Sequence, residues 1–161
     1  MNGNFVQNIT SAIQNKQVFE TSIEPKLIHQ NWTTIVNMID SHPKEYIKVE
    51  SHKNRTELQK LHLRESVKPI VKQLISLLED ICPDKIITNI AFIGFGKHRS
   101  FPLHRDKMDV LLLQVKGRIK LTVGEINKVM NVGDVVYIPR GTDHKITPLQ
   151  SRVTYSFGIE G

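Results

Sequence analysis

Cysteine is almost missing from this chain. The single residue, Cys82, excludes an internal disulfide framework and any zinc site built on thiolates. One free thiol suits a reducing cytosol, and a cytoplasmic location is expected. No apolar run follows a basic segment near the N-terminus, and no window is long enough to cross a bilayer, so no membrane association is expected. Aromatic residues make up only 6%, and Lys and Arg never gather in one block, which weighs against a nucleic-acid-binding strip. Repeats, low-complexity tracts and interdomain linkers are absent too.

What is present fits one folded unit. The 161 residues suffice for a sizeable core, and 39% hydrophobic with 24% charged residues is the balance of a globular protein, not a disordered one. Residues 1–161 therefore read as one domain, with a helical N-terminal layer over 1–83 and a β core over 84–161. A short helix is expected near Ile9–Gln17. Trp32, Ile35, Val36 and Ile39 recur at helical spacing and stop before His42-Pro43. The mixed charges of 41–62 read as a solvated connection with one edge strand around Tyr46–Val49. Ser66 is placed to cap a second helix over Val67–Ile81, whose broad apolar face suits packing on a sheet. From Asp84 the period changes from 3.6 to 2. IITNIAFIGF, MDVLLLQV, RIKLTV, VVYIP and RVTYSF are β-rich runs separated by Gly, Asn, Asp and Pro. The expected fold is mainly β, a double-stranded β-helix or jelly roll, with the N-terminal helices packed on one sheet.

Within the β part stand His104, Asp106 and, thirty-eight residues past the Asp, His144. Residues i and i+2 of a strand point to one side, so His104 and Asp106 can reach one ion, with His144 supplied by a strand folded back alongside. Two imidazoles and a carboxylate leave positions on the metal open, the arrangement of non-haem Fe(II) oxygenases. Cations crowd these positions: Lys97, Arg99, Arg105 and Lys107 around the first pair, Arg140 and Lys145 beside His144. If the segments meet, the mouth of the site is basic and draws an anionic ligand, a carboxylate or phosphate. The net charge of +6 agrees, although a generally basic soluble protein explains it as well. Asp109 and Asp143 are candidates for orienting the histidines, and His98 for touching substrate. His29, His42, His52 and His62 have no spacing partner and are expected at the surface.

The run GDVVYIPRGTDH, with Gly133, Pro139, Gly141 and His144, resembles the second motif of the cupin superfamily. The stretch NIAFIGFGKHRSFPLHRDKMDVLLLQVKG resembles the cupin-type JmjC hydroxylases, which include the ribosomal oxygenases and the asparaginyl hydroxylase of hypoxia-inducible factor. The shared positions are Asn89, Pro102, His104, Asp106, Gln114 and Gly117. The likeness covers about 75 residues. It implies Fe(II)- and 2-oxoglutarate-dependent hydroxylation of a protein side chain or small molecule, with His104, Asp106 and His144 on the iron and Asn89 near the co-substrate.

Two positions depart from that family. The Lys or Arg that holds the far carboxylate of 2-oxoglutarate is Ile119 here, and a Thr three residues before the first His is Phe101. A buried carboxylate needs a replacement cation. On the last strand Arg152, Thr154 and Ser156 alternate with Val153, Tyr155 and Phe157, so Arg152 and Ser156 face the barrel interior if the apolar set lies under the helices. Arg152 is the expected anchor, in a placement similar to that of the prolyl-hydroxylase kind of oxygenase, and Ser156 a further contact. Two other readings stay open: a metal-dependent cupin enzyme that does not use 2-oxoglutarate, and a non-catalytic cupin that binds a ligand or a protein.

Overall fold

The structure is a computed structural model and describes residues 1–64, 66–96 and 101–161. Lys97, His98 and Arg99 lie outside the described residues. Four helices occupy the N-terminal half: α1 (Gly3–Asn15), α2 (Pro25–Ile28), α3 (Trp32–Ser41) and α4 (Pro69–Ile81). Asn2 and Asn31 cap α1 and α3, each side-chain oxygen accepting a backbone N–H three residues on. Pro69 opens α4, where its missing N–H costs nothing, so that helix starts later than the Ser66 cap expected. None of these helices is long and apolar enough to cross a membrane.

Among the described residues eleven strands follow in this order: β1 (Phe19–Ser22), β2 (Ile47–Glu50), β3 (Arg55–Gln59), β4 (Ile86–Gly94), β5 (Phe101–His104) and β6 (Asp109–Lys116). Then come β7 (Ile119–Val123), β8 (Ile126–Met130), β9 (Asp134–Ile138), β10 (His144–Pro148) and β11 (Arg152–Glu160). They form a seven-stranded sheet, β1-β9-β6-β11-β4-β3-β2, and a four-stranded sheet, β5-β10-β7-β8. All the ladders are antiparallel. The two sheets face each other as a jelly roll, as the alternation of the C-terminal half implies.

Residues 1–83 do more than supply a helical layer. β1 extends one edge of the large sheet through β9, and β3 extends the other through β4. β2 is the edge strand expected near Tyr46–Val49, but β1 and β3 escape the period-2 search. In β3 the inward positions are Arg55 and Glu57, so its alternation is polar on the face where an apolar signal is sought.

Two cores result, one on each face of the large sheet. Leu111, Leu113, Val115, Val153, Tyr155 and Phe157 pack under the helices with Leu74, Leu78 and Ile35. Val110, Leu112, Ile119, Leu121, Val136 and Ile146 fill the space between the sheets. β6 is thus buried on both sides, which explains its unbroken apolar run, whereas β7 keeps one face in water and alternates. The helix stripe of α3 is shifted from expectation. Ile35 and Met38 are the buried pair, and Val36 is exposed. His42, expected at the surface, is buried with Nε2 2.7 Å from the Gln59 carbonyl oxygen.

Two glycines are dictated by geometry. Gly117 joins β6 to β7 at φ 68°, and a Cβ there would run into the Ser151 carbonyl oxygen. Gly133 turns the chain into β9 at φ 95°, with its own carbonyl accepting the Ile23 N–H at 2.7 Å, so a side chain would push the N-terminal segment off the sheet.

Candidate metal centre

β5 and β10 run antiparallel with His104 directly opposite His144. Cross-strand neighbours share a face, and the two imidazole rings lie 4.2 Å apart between centroids. Pro139 and Thr142 close the turn before β10 (Thr142 N–H to Pro139 carbonyl, 3.2 Å), with Gly141 at φ 75°, and this turn aims His144 inward. Asp106 sits just beyond the end of β5 and not on it as a regular i+2 strand residue. Its backbone carbonyl accepts the Gly141 N–H at 2.9 Å, which ties the two ligand-bearing segments together.

Donor atoms of His104, Asp106 and His144 all fall within 4.8 Å of one another. Asp106 Oδ1 is 3.6 Å from His104 Nε2, and Oδ2 is 3.3 Å from His144 Nε2. Each imidazole uses its other nitrogen on the backbone. Nδ1 of His104 lies 2.7 Å from the Pro102 carbonyl oxygen and Nδ1 of His144 2.9 Å from that of Thr142. An Nδ1–H donating to a carbonyl sets the tautomer with the Nε2 lone pair free, as a metal ligand requires. The backbone carbonyl of Pro102 thus orients the His104 ring.

Electrostatics agree with a cation-binding cluster. The neighbouring His144 imidazole holds the Asp106 carboxyl below the usual carboxylate range, against the effect of burial. Burial works to lower the pKa of His144, yet the Asp106 carboxylate and the Thr142 carbonyl outweigh it and the net shift is upward. A cation entering the cluster would compete with a proton for the same nitrogen and carboxylate atoms.

The three side chains open on a cavity of about 210 Å³, whose wall is otherwise Ile90, Phe92, Phe101, Met108, Val110, Leu112, Ile146 and Ser156. Phe101 meets the His104 ring at 5.6 Å and packs edge-on to Phe92 at 5.4 Å. The Arg55 guanidinium stacks over Phe101 at 3.7 Å while bonded to Glu50 and Glu57. This bracing from β3 was invisible in a segment that reads as a solvated connection.

The remaining sequence candidates divide. Ser156 lines the cavity. Thr154 and Arg152 lie on the same face of β11, two and four residues before Ser156, opposite Phe92 and Gly94. Arg152 is only 2% exposed and donates to Thr154 Oγ1 at 3.0 Å, and Thr154 in turn donates to Gln114 Oε1 at 2.7 Å. Burial, aided by the charge of Arg55, pushes the Arg152 pKa down to about 10. Its Nε is buried without a partner, and no described carboxylate pairs with it. Ile119 is fully buried among Leu121 and Val123, as the register required.

Asn89 is a correction. It faces the opposite side of β4 from Ile90 and Phe92, and its amide is engaged by the His62 backbone N–H (3.2 Å) and ring Nδ1 (2.9 Å). Its evident work is to hold the chain entering α4, because alternation on β4 turns it away from the cavity. Asp143 and Asp109 do not touch the histidines either. Asp143 forms a two-pronged pair with Arg105 at 2.6 and 2.9 Å. Asp109 accepts from Lys16 and, at 2.9 Å, from the Arg140 N–H.

Asp109 carries a testable pH dependence. Burial raises its carboxyl, but Lys16 and the Arg140 N–H together bring it below its ordinary value. A folded pKa below the unfolded one gives stability that is complete above the unfolded value and is lost as pH falls through the folded one. Asp109→Asn is therefore expected to cost roughly 1–2 kcal/mol at neutral pH. In urea melts the two proteins should converge below about pH 4, and a gap that persists at low pH contradicts this assignment.

Comparison with known proteins follows this geometry. The family model of the JmjC domain matches residues 120–161, the stretch from β7 to β11 that carries His144 and Arg152. Compared by sequence with curated proteins, the chain matches none. Among solved structures, the ribosomal oxygenase YcfD from Escherichia coli is 18% identical with a TM-score of 0.68, over 96% of this chain and 51% of that one. The same protein in complex with cobalt and 2-oxoglutarate gives 18% identity and a TM-score of 0.69, over 96% and 52%. An RmlC-like cupin from Shewanella frigidimarina gives 11% identity and a TM-score of 0.52, over 74% and 88%. The fold is therefore the one shared by YcfD and the RmlC-like cupin, and this chain spans about half the length of YcfD.

Proposed function

We propose that this chain is a metal- and 2-oxoglutarate-dependent oxygenase, a hydroxylase of a protein side chain or small molecule, with residues 1–161 working as one domain in the cytosol. The observation that carries the reading is the convergence of His104, Asp106 and His144 inside a jelly roll. These residues fit a divalent first-row metal: two imidazole nitrogens and a carboxylate on one side leave the other side open, the arrangement suited to Fe(II). For the dicarboxylate the candidate partner is Arg152, a buried guanidinium with an orphaned Nε that lies outside the metal cavity beside Gly94 and Pro148. The family-like cation position, Ile119, is replaced in this way by one on the facing sheet.

Bound together, Fe(II) and 2-oxoglutarate would supply the oxidising power of dioxygen for hydroxylating a C–H bond, with release of succinate and carbon dioxide. The chain's own work is positional. His104 and His144 present Nε2 because backbone carbonyls hold Nδ1, and Asp106 adds negative charge between them. Arg152 grips the distal carboxylate, with Thr154 and Gln114 fixing the guanidinium. Phe92, Phe101, Ile90 and Leu112 keep water from the cavity, which protects a reactive centre from side reactions.

One observation favours a rival. The described wall of the 210 Å³ cavity holds Phe92 and Phe101 and no cation, as expected of a metal cupin enzyme that does without 2-oxoglutarate. Supplying purified protein with Fe(II), ascorbate and 2-oxoglutarate and measuring succinate separates the two, since uncoupled turnover needs no knowledge of the substrate. Succinate above a His144→Ala control is expected. Metal binding without any 2-oxoglutarate binding or succinate would hand the site to the rival.

A further inference from the structure

Beside the metal cavity lies a second and larger one, of about 460 Å³, lined by Lys16, Lys85, Lys107, Met108, Asp109 and Arg140 together with Pro139, Ile159 and Gly161. Its four cations come from four separate places: the end of α1, the turn into β4, the loop after Asp106 and the turn before His144. Sequence periodicity does not produce such convergence; the fold does. Among the described side chains lining it the one carboxylate, Asp109, is spent on Lys16 and on the Arg140 N–H. Lys85 donates to the Gly161 carbonyl oxygen. Lys107 and Arg140 have no carboxylate partner among the described residues.

The basin adjoins the metal centre covalently and spatially. Lys107 follows Asp106 in the chain, Arg140 precedes the Gly141 whose N–H holds Asp106, and the Met108 side chain lines both cavities. Arg105, by contrast, is neutralised by Asp143. Among the described cations of the basic mouth that the sequence suggested, Arg105 is compensated, while Lys107, Arg140 and Lys145 have no carboxylate partner.

We propose that this basin is a phosphate subsite: it holds the phosphate group of a small substrate whose apolar part passes Met108 towards the metal. Lys107 and Arg140, with the lysine ammoniums of Lys16 and Lys85 adding positive charge beside them, can meet a tetrahedral anion from several directions, while a lone carboxylate is better matched by one planar guanidinium. The volume suits a small molecule. Among the described residues no aromatic side chain lines the basin to stack a base, which disfavours a single-stranded nucleic acid. That the bound group orients a substrate rests on the oxygenase reading, but the subsite itself does not need the metal.

Inorganic pyrophosphate, titrated into metal-free full-length protein and followed by backbone amide NMR shifts, tests this. Saturable shifts are expected at Lys107, Asp109 and Gly141. Affinity should fall about a hundredfold, the worth of two charge-assisted contacts, in Lys107→Ala/Arg140→Ala. It should be kept in Asp106→Ala, so that a failed subsite and a failed metal site are told apart, and thermal melts of each variant verify folding. Absence of saturation, equal affinity in the double variant, or a single-stranded oligonucleotide that binds tighter than pyrophosphate through the same residues would each overturn the proposal.

Discussion

Asp106→Ala is expected to abolish metal binding while leaving the fold in place. Two opposed imidazoles from paired strands remain in that variant, but the carboxylate that supplies charge and the third donor is gone. The loss should exceed the roughly 10–100-fold that follows removal of groups merely supporting a ligand. Linkage makes the effect easy to read. Mn(II) at about a hundred times its dissociation constant stabilises a one-site protein by roughly 2.7 kcal/mol, which in a chain of this size raises the melting temperature by about 5–10 °C. Wild type should show that rise and Asp106→Ala none. Asp143→Ala serves as the control, because its exposed pair with Arg105 contributes little and does not touch the imidazoles. A rise that survives loss of Asp106 would mean that the ion sits elsewhere.

Arg152→Met should move two quantities in opposite directions. Affinity for 2-oxoglutarate is expected to fall by two to three orders of magnitude, since truncating one partner of a buried charge pair costs about 2–5 kcal/mol. The ligand-free protein should be no less stable than wild type. Its guanidinium is buried, sits near the like charge of Arg55, and satisfies only part of its hydrogen-bonding capacity, so an apolar side chain of similar length removes a desolvation cost. Calorimetry with 2-oxoglutarate and a thermal melt without it measure the two. Arg152→Lys should recover only part of the affinity, because an ammonium cannot offer the paired geometry of a guanidinium. If Arg152→Met binds 2-oxoglutarate normally and melts several degrees lower, the residue is a structural strut, and the apolar cavity wall belongs to an enzyme that does not use the co-substrate.

The two halves of the chain differ in how openly they can be read. On β7 and β11, where one face meets apolar neighbours and the other does not, alternation correctly turned Ile119 inward and set Arg152, Thr154 and Ser156 apart from Val153, Tyr155 and Phe157. On β4 it could not. Both faces of IITNIAFIGF are packed, so nothing in the order of residues marks which side is the cavity, and Asn89 was assigned to the wrong one. β3 misled for a different reason: its inward residues are charged, braced by each other and by an aromatic ring.

By itself the sequence determined the β-rich core, the three side chains suited to one cation, and the cationic surroundings. Residue type, alternation and motif spacing carry those, and each can be read along the chain. The tertiary structure alone decided that β1 and β3 join the large sheet, that Asn89 serves His62, that Arg55 braces the wall beside His104, and that Lys16, Lys85, Lys107 and Arg140 share one basin. Each of these depends on which strand lies beside which, and long-range pairing leaves no local mark in the order of residues.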